Sequence, residues 1–225
     1  MKSTTIRILF SLTLLMALNI EGFSVSKWEL ARTQRWLEKR VRKYSFKELQ
    51  SLVYLNLAET RVSSADLVYL RPLKALRILD LRATQVTDRG LIHLRALKVL
   101  ESLNLSNTRV TDTGLIYLKA IPSLKVLYLW HTKVTDKGLP HLAALKSLET
   151  LDLGETKITN AGLIHLKGIQ SLKTLYLWAT KVTDAGFVHL KELRTLRFLH
   201  LRWTYVTFQG VKELQEALPK CEIYR

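Results

Sequence analysis

Leucine recurs at a fixed interval through most of the chain. The recurring leucines lie 24 residues apart, at positions 52, 76, 100, 124, 148, 172 and 196. Threonines keep the same spacing at positions 60, 84, 108, 132, 156, 180 and 204. Seven units cover 52–219 without an insertion or a deletion, and they share the pattern L-x-x-L-x-L-x-x-T-x-V-T-D-x-G-L-x-x-L-x-x-L-x-x. A constant period over three quarters of the chain predicts stacked repeats.

Each half of the unit has its own periodicity. In the L-x-L segment leucines alternate with variable residues, which is typical of a strand with one buried face. After V-T-D-x-G the leucines follow at steps of three, which places them on one stripe of a short helix. The Thr-Asp pair offers a hydroxyl at the N-cap and a carboxylate in the first turn, both of which favour helix initiation. The N-cap candidates are Thr87, Thr111, Thr135 and Thr183.

One strand followed by one short helix cannot bury its own apolar face. Stacked copies bury all the faces in a continuous core, which predicts an α/β solenoid with parallel strands along its concave side. The repeat array is expected over 52–219, with a C-terminal cap at 220–225.

The unit resembles a leucine-rich repeat, and it is close to the cysteine-containing, ribonuclease-inhibitor-like subtype with C-x-x-I-T-D-x-G-L. The resemblance implies a right-handed αβ horseshoe of parallel concave strands and short convex helices. In that family an Asn or Cys side chain ties neighbouring turns together, whereas this chain has Thr. We expect a ladder of hydroxyls to serve the buried backbone groups instead. Its members are Thr84, Thr108, Thr132, Thr156 and Thr180.

The segment 27–51 precedes the array and is basic. Residues 27–47 hold eight Lys or Arg and two Glu, a net charge of +6. Leu30, Leu37, Val41 and Tyr44 fall on one side of a helix, and Ser45 with Glu48 has capping-box spacing. By register, Phe46 and Leu49 correspond to Leu70 and Leu73 of the first repeat. The segment is interpreted as a helical N-terminal cap, with an amphipathic helix on an anionic membrane as the alternative.

Residues 1–26 contain a mostly apolar run, Ile8–Ile20, behind Lys2 and Arg7. Thirteen residues at ~1.5 Å each span roughly 20 Å, short of the ~30 Å hydrocarbon core. This length predicts a signal peptide, with an uncleaved membrane anchor as the alternative. The chain is therefore expected to be exported (periplasmic or extracellular) or anchored at its N-terminus, with membrane contact possible through residues 8–44. A buried apolar helix in an intracellular protein is the remaining alternative.

The composition adds a strong positive charge. The formal net charge is +16 and the pI is near 10, which favours acidic partners without selecting one. Cys221 is the only cysteine, so the chain cannot form an internal disulfide. The motif around it, L-P-x-C-x-I, resembles the closing segment of leucine-rich-repeat arrays, and the thiol is expected to pack against the last repeat.

No catalytic or cofactor motif is found in the sequence. The glycines and aspartates recur as single repeat positions, which favours turns and helix caps over a phosphate loop or an acid/base pair. His141, His165 and His189 stack in successive units, but Tyr69 and Tyr117 hold the equivalent positions, which favours packing over metal binding. We therefore expect a non-enzymatic protein without metal or cofactor, and no specific nucleic acid partner.

The variable strand positions carry the functional prediction. Polar or small residues fill them in the first three repeats, and aromatic residues enter at Tyr128. Two Tyr-Trp pairs are expected roughly 10 Å apart, because strands lie ~4.8 Å apart, with Gly154 leaving an open gap between them. The predicted binding residues are Tyr128, Trp130, Asp152, Glu155, Tyr176, Trp178, Phe198, His200 and Trp203.

Exposed Tyr and Trp on a rigid sheet are typical of interaction hot spots. Leucine-rich-repeat arrays usually bind proteins, so the resemblance implies a protein partner on the concave face. The alternative is a cell-envelope glycan or polyanion, with rings stacked on sugars and Asp152 or Glu155 accepting hydrogen bonds from hydroxyls. An intracellular adaptor is the second alternative.

Overall fold

The structure of the protein is a computed structural model, and it describes residues 25–225, with side chains from residue 27 onward. Within this part of the chain, eight strands form one open parallel sheet in sequence order. The strands β1 to β8 are Tyr54–Asn56, Ile78–Asp80, Ser102–Asn104, Val126–Tyr128, Thr150–Asp152, Thr174–Tyr176, Phe198–His200 and Glu222–Tyr224.

The helices lie on the other side of the core. Between β2 and β7 they are single turns of α-helix joined to short 3₁₀ segments, because leucines at steps of three fill only one narrow stripe. The 3₁₀ segments are Ser64–Leu70, Ile92–Ala96, Ile116–Ala120, Asp136–Gly138, Ile164–Gly168 and Asp184–Gly186. The α-helices α1 to α8 are Val25–Glu38, Phe46–Gln50, Asp88–Leu91, Asp112–Leu115, Leu139–Leu142, Asn160–Leu163, Phe187–Leu190 and Phe208–Ala217.

The 24-residue period is also the register of the sheet. Leu79 pairs with Leu103, and Leu103 pairs with Leu127. Since side chains alternate along a strand, these central leucines all point into the core, and from Leu55 to Leu199 none is more than 1% exposed. The predicted α/β leucine-rich-repeat solenoid is confirmed. Strand β8 pairs with β7 in the same register, which adds a strand that the seven-repeat prediction does not contain.

The basic N-terminal segment packs on the first repeat. Leu37 and Leu49 are fully buried, and the indole N–H of Trp36 donates to Asp66 over 2.8 Å. Ser45 and Glu48 form the predicted capping box. The predicted equivalence of Phe46 to a core leucine is wrong: its side chain is 41% exposed, because a five-residue helix turns only Leu49 inward.

The packing of α1 on the first repeat restricts the predicted membrane contact through residues 8–44. Leu30 and Leu37 of α1 are buried, so they are not free to enter a bilayer. The predicted signal peptide or anchor falls mainly on residues 1–24, which lie outside the described residues. No helix in the described part is both long enough and apolar enough to cross a membrane.

The threonine ladder acts within each repeat. Each hydroxyl of the buried ladder donates to the carbonyl three residues earlier, as Thr132 does to Leu129 over 2.6 Å. Equivalent bonds of 2.5–2.7 Å are made by Thr84, Thr108, Thr156 and Thr180. The predicted service to buried backbone groups is therefore present. These bonds do not link neighbouring turns, so another group must do so.

The aspartate of the V-T-D segment makes that link. One oxygen of Asp136 accepts from the backbone N–H of Thr159 over 2.8 Å, and the other accepts from its hydroxyl over 2.6 Å. Gly162 leaves room for this carboxylate, since an added Cβ would lie 2.3 Å from Asp136 Oδ1. Asp88, Asp112 and Asp184 make the same pair of bonds to the following repeat. Their role as bridges goes beyond the helix-capping role that the sequence predicts.

Asn160 shows what this bridge requires. Its amide oxygen accepts from the N–H of Thr183 over 2.9 Å, and its amide nitrogen donates to the Thr183 hydroxyl over 2.8 Å. We therefore expect Asp136→Asn to cost less than about 1 kcal/mol of unfolding free energy, while Asp136→Ala costs about 2–4 kcal/mol by leaving two donors without a partner. Urea denaturation of both variants tests this. Equal stability losses in the two variants would contradict a bridging role.

Candidate functional site

The concave face of the sheet is formed by three side-chain columns. In β4 and the turn after it, these are Val126, Tyr128 and Trp130, which alternate with the buried Leu127 and Leu129. The second and third columns are predicted from the sequence, whereas Phe198 is the one residue of the first column in the predicted set. The first column follows from the same alternation, because the residue before each buried leucine points to the same side as the residue after it.

The middle column has a structural role where it is polar. Asn56, Asp80 and Asn104 each accept a hydrogen bond from the backbone N–H two residues later, at 2.9–3.0 Å. Asp152 makes the same bond to the N–H of Gly154 over 2.8 Å. These short turns close the ends of the strands. Asp152 is only 8% exposed, so its side chain is part of the scaffold and not an open hydrogen-bond acceptor, contrary to expectation.

Aromatic side chains replace these turn formers toward the C-terminal end. Together they occupy the C-terminal part of the concave face and are here called the aromatic patch. Its members are Tyr128, Trp130, Tyr176, Trp178, Phe198, His200, Trp203 and Tyr224. All except Tyr224 belong to the predicted set, and their role in binding stays a prediction.

The patch contains two chains of ring contacts. Along the strand ends, Trp178 lies between Trp130 and Trp203, with centroid distances of 6.1 and 6.0 Å. Along the strands, Tyr176 contacts Phe198 at 5.5 Å and His200 at 6.0 Å. The last ring, Tyr224, meets His200 edge-on at 5.6 Å. Such tilted and edge-to-face contacts hold the rings in fixed orientations.

The predicted open gap at Gly154 is absent. The Trp178 ring lies over this glycine, and a Cβ added to Gly154 would be 2.2 Å from Trp178 Nε1. The missing side chain therefore makes room for an indole of the same patch. The two Tyr-Trp pairs are joined by Trp130 and Trp178, and the prediction of two separate pairs is wrong at this point.

Asp152 lies beneath the patch and has an unusual pKa. Burial raises the pKa of its carboxyl from 3.8 to about 6, against the opposing effect of hydrogen bonds from Gly154 and Trp178. Burial also raises the pKa of Tyr176, with smaller contributions from Tyr128 and Asp152. Asp152 is only 8% exposed, so water has little access to its carboxyl.

Residues at the ends of the patch are more exposed. Trp203 is 69% and Tyr224 is 50% exposed, and the guanidinium of Arg202 lies 5.0 Å from the Trp203 ring. Glu155 is also exposed, and its carboxylate is 2.8 Å from Nδ1 of His131. Glu155 and Trp203 occupy the same turn position and have φ of 50° and 57°. Seven such turns, one per repeat, present their side chains along the rim of the sheet.

The sequence analysis missed Tyr224 and His131. Tyr224 follows His200 by one 24-residue period, so the repeat register would have placed it on the concave face. His131 lies next to Trp130 in the chain and its ring is 5.9 Å from the indole. Only the recurrence of a left-handed turn after the third column would have identified it as a rim residue.

The histidine column does not form a metal site in the described part of the chain. His141, His165 and His189 are half-buried on the helical side. Among the described residues, no group of three His, Cys, Asp or Glu side chains is placed to hold a metal ion.

The Asp152 carboxyl predicts a pH dependence of stability. A folded pKa of about 6 lies above the ordinary value of 3.8, so the folded state binds this proton more tightly. Its stabilising contribution is therefore present below pH ~4 and is lost as the pH rises through about 6, with a maximum effect of about 3 kcal/mol. We expect Asp152→Asn to gain stability relative to the unmodified protein between pH 4.5 and pH 8.

Urea denaturation at both pH values measures this gain, and the unmodified protein controls for the histidines that titrate over the same range. A stability difference between the two proteins that does not change with pH would show that Asp152 is ionised in the fold.

Comparison with known proteins supports the fold. A sequence profile described as Leucine Rich repeat matches residues 96–119 and 144–167, two segments separated by two periods. No match is found among the curated proteins.

Two solved structures from Listeria monocytogenes str. 4b F2365 are similar. An internalin (inlF) is 22% identical with a TM-score of 0.57, and the match covers 77% of this chain and 54% of the internalin. Internalin C2 is also 22% identical, with a TM-score of 0.56, covering 83% of this chain and 88% of that chain. This chain thus spans about half the length of the first internalin. Together with the 24-residue register of strands and helices, these matches show that the chain has the leucine-rich-repeat fold.

Proposed function

We propose that the chain is a non-catalytic binding module that holds a protein partner on the aromatic patch of its concave face. The observation that carries the proposal is the run of contacting rings from Trp130 to Trp178 and Trp203, which ends in a side chain that is 69% exposed. The leucine-rich-repeat fold itself does not need these rings, since the first three repeats carry Ala58, Arg82 and Ser106 at the position of Trp130 and Trp178.

The physical properties of the patch suit protein recognition. Strands β4 to β7 are hydrogen-bonded on both sides, so the patch residues that stand on them have little backbone freedom to lose on binding. Tyr and Trp are also the residues most enriched among interface hot spots. Arg202 and Glu155 at the rim supply charges of both signs, as in the polar borders of protein interfaces.

The glycan alternative has less support from the geometry. It needs open ring faces beside exposed carboxylates, but Asp152 is buried and the Trp178 ring is covered on one side by Gly154. Glu155 remains as an exposed carboxylate, although it is already paired with His131. Because the rings are tilted against one another, their surface suits contact with apolar side chains of a protein better than stacking on sugar rings.

The proposal is tested by Trp130→Ala combined with Trp178→Ala. The variant and the unmodified chain are immobilised, host extracts are passed over them, and the retained proteins are quantified by mass spectrometry. We expect partner recovery to fall at least about tenfold, because each truncation removes a hot-spot residue worth about 1–2 kcal/mol or more. Tyr54→Ala is the matched control, since Tyr54 is 53% exposed on the same face but lies in β1.

Two outcomes oppose the proposal. A folded double variant that retains the same proteins as the unmodified chain would place the binding surface elsewhere. Equal losses in the double variant and in Tyr54→Ala would show that the whole sheet binds without a preferred patch. Circular dichroism of each variant separates loss of binding from loss of fold.

We also propose that the module works outside the cytoplasm or tethered to a membrane, on the basis of the apolar run at residues 8–20. Mass spectrometry of the chain isolated from its host is expected to show one of two forms. The chain either lacks roughly its first 20–26 residues or is intact in the membrane fraction. An intact chain in the soluble fraction would instead support the intracellular adaptor.

A further inference from the structure

The helical side of the solenoid carries an ordered pattern that the concave binding proposal does not use. One position of each repeat forms an aliphatic column on the outer surface. Its members are Val68, Ile92, Ile116, Pro140, Ile164 and Val188. Exposure increases toward the C-terminal end, where Ile164 is 38% and Val188 is 61% exposed. These side chains are not needed for the core, which the leucines of each repeat already fill.

A column of cations runs beside the aliphatic column. It lies three residues further along the chain and consists of Arg71, Arg95, Lys119, Lys167 and Lys191. Residues three apart on a helical turn are neighbours, so each aliphatic side chain except Pro140, which has Ala143 at this spacing, has a cation at its side. Together the two columns form a surface that we call the convex face.

Carboxylates that would neutralise this face are nearly absent. Over residues 89–196, the helical side carries Glu192 in addition to the aspartates that bridge successive repeats. Glu101 and Glu149 lie at the starts of strands, where they pair with Arg77, Lys125 and Lys173. Among the described residues, no cation of the column makes a salt bridge. Carboxylates elsewhere on the surface pair with other basic residues.

This unbalanced positive charge affects the pKa of the neighbouring His93. Burial lowers the pKa of His93, and Arg71 and Arg95 lower it further. The cations therefore repel another positive charge at this position, as expected where no anion offsets them.

A further row of basic residues extends the positive surface. Lys74, Lys98 and Lys146 donate to the last carbonyl of the helical segment in the following repeat, at 3.4, 3.0 and 2.9 Å. These side chains therefore lie across the repeats and keep their charge next to the cation column. They widen the positive surface in the repeats that contain them.

The chain also enters the array on this side. Helix α1 packs against the 3₁₀ segment Ser64–Leu70, which holds the first member of the aliphatic column. The apolar run at residues 8–20 lies directly before α1 in the sequence. In the described part of the chain, the start of the convex face thus lies next to α1.

We propose that the convex face rests on the surface of an anionic phospholipid bilayer. The cation column contacts the lipid phosphates, and Ile164 and Val188 enter the region between headgroups and acyl chains. The aliphatic column distinguishes this ligand from a single-stranded nucleic acid, whose binding surfaces combine cations with aromatic platforms for the bases. The aromatic patch on the opposite face remains free for a protein partner.

The test measures binding of the full chain to vesicles by co-sedimentation. Vesicles of phosphatidylcholine alone report any binding through the N-terminal segment, and vesicles with 30% phosphatidylglycerol add the anionic surface. We expect at least about tenfold tighter binding to the anionic vesicles, because each Lys or Arg near such a surface strengthens binding several-fold. This preference is expected to fall as the salt concentration rises.

Two variants of equal charge locate the surface. Arg95→Gln, Lys119→Gln and Lys167→Gln together neutralise part of the cation column. We expect this variant to lower the preference for anionic over neutral vesicles at least about tenfold. The matched control neutralises Lys133, Lys157 and Lys181, which are exposed in a different row of the solenoid. The control is expected to lose less than about threefold, since it changes the net charge but not the convex face.

A third variant identifies the ligand class. Ile164→Ser with Val188→Ser is expected to weaken vesicle binding at least about threefold while leaving binding to duplex RNA, used as a soluble polyanion, unchanged. Absence of an anionic preference, or equal losses in the two charge variants, would overturn the proposal. Tight RNA binding with no effect of the serine substitutions on vesicles would assign the face to nucleic acid and would also overturn it.

Discussion

The leucines of one repeat are buried only when the next repeat stacks on them, and the other features of the protein depend on this constraint. A strand of three residues and a helix of one or two turns have too little apolar surface to fold alone. Stacking is fixed by hydrogen bonds at two levels. Strands pair 24 residues apart, and the bridging carboxylates hold the helix starts of one repeat to a threonine of the next. An inserted residue would break both sets of bonds.

This constraint separates positions that serve the scaffold from positions that are free to vary. Leucines, ladder threonines, bridging aspartates and the glycines beneath them have the same contacts in successive repeats. The concave columns and the convex face do not share this requirement, and there the composition changes along the chain. Aromatic rings concentrate at the C-terminal end of the sheet, and cations concentrate on the helical side. The protein thus carries two chemically different surfaces on opposite sides of one core.

The fold was predictable because the same pattern of apolar and polar positions recurs in each repeat. The spacing of leucines defines strands and helices, and the period defines the register, so errors in one repeat are corrected by the others. The capping box at Ser45 and Glu48 was equally predictable, since it depends on local spacing alone. Its neighbour Phe46 was not, because its exposure depends on the length and orientation of a short helix.

The candidate site was only partly predictable, for reasons that its residues make clear. Alternation along the strands identifies which side chains face inward, and it correctly places Tyr128, Trp130, Tyr176 and Trp178 on the concave face. Alternation gives no information on rotamers, and so it does not reveal that Trp178 lies over Gly154. Comparison with Asn56, Asp80 and Asn104 would have identified Asp152 as a turn former, since all four occupy the same column.

The central claim is that partners bind on the aromatic patch, and footprinting of the bound chain tests it directly. Hydroxyl-radical labelling of the free chain and of its complex with a captured partner compares the reactivity of each exposed ring. We expect protection of Trp203 and Tyr224, with unchanged labelling of Tyr54 on the same face and of Phe208, which is 79% exposed in α8. Protection of Tyr54 or Phe208 with no change at Trp203 and Tyr224 would contradict it.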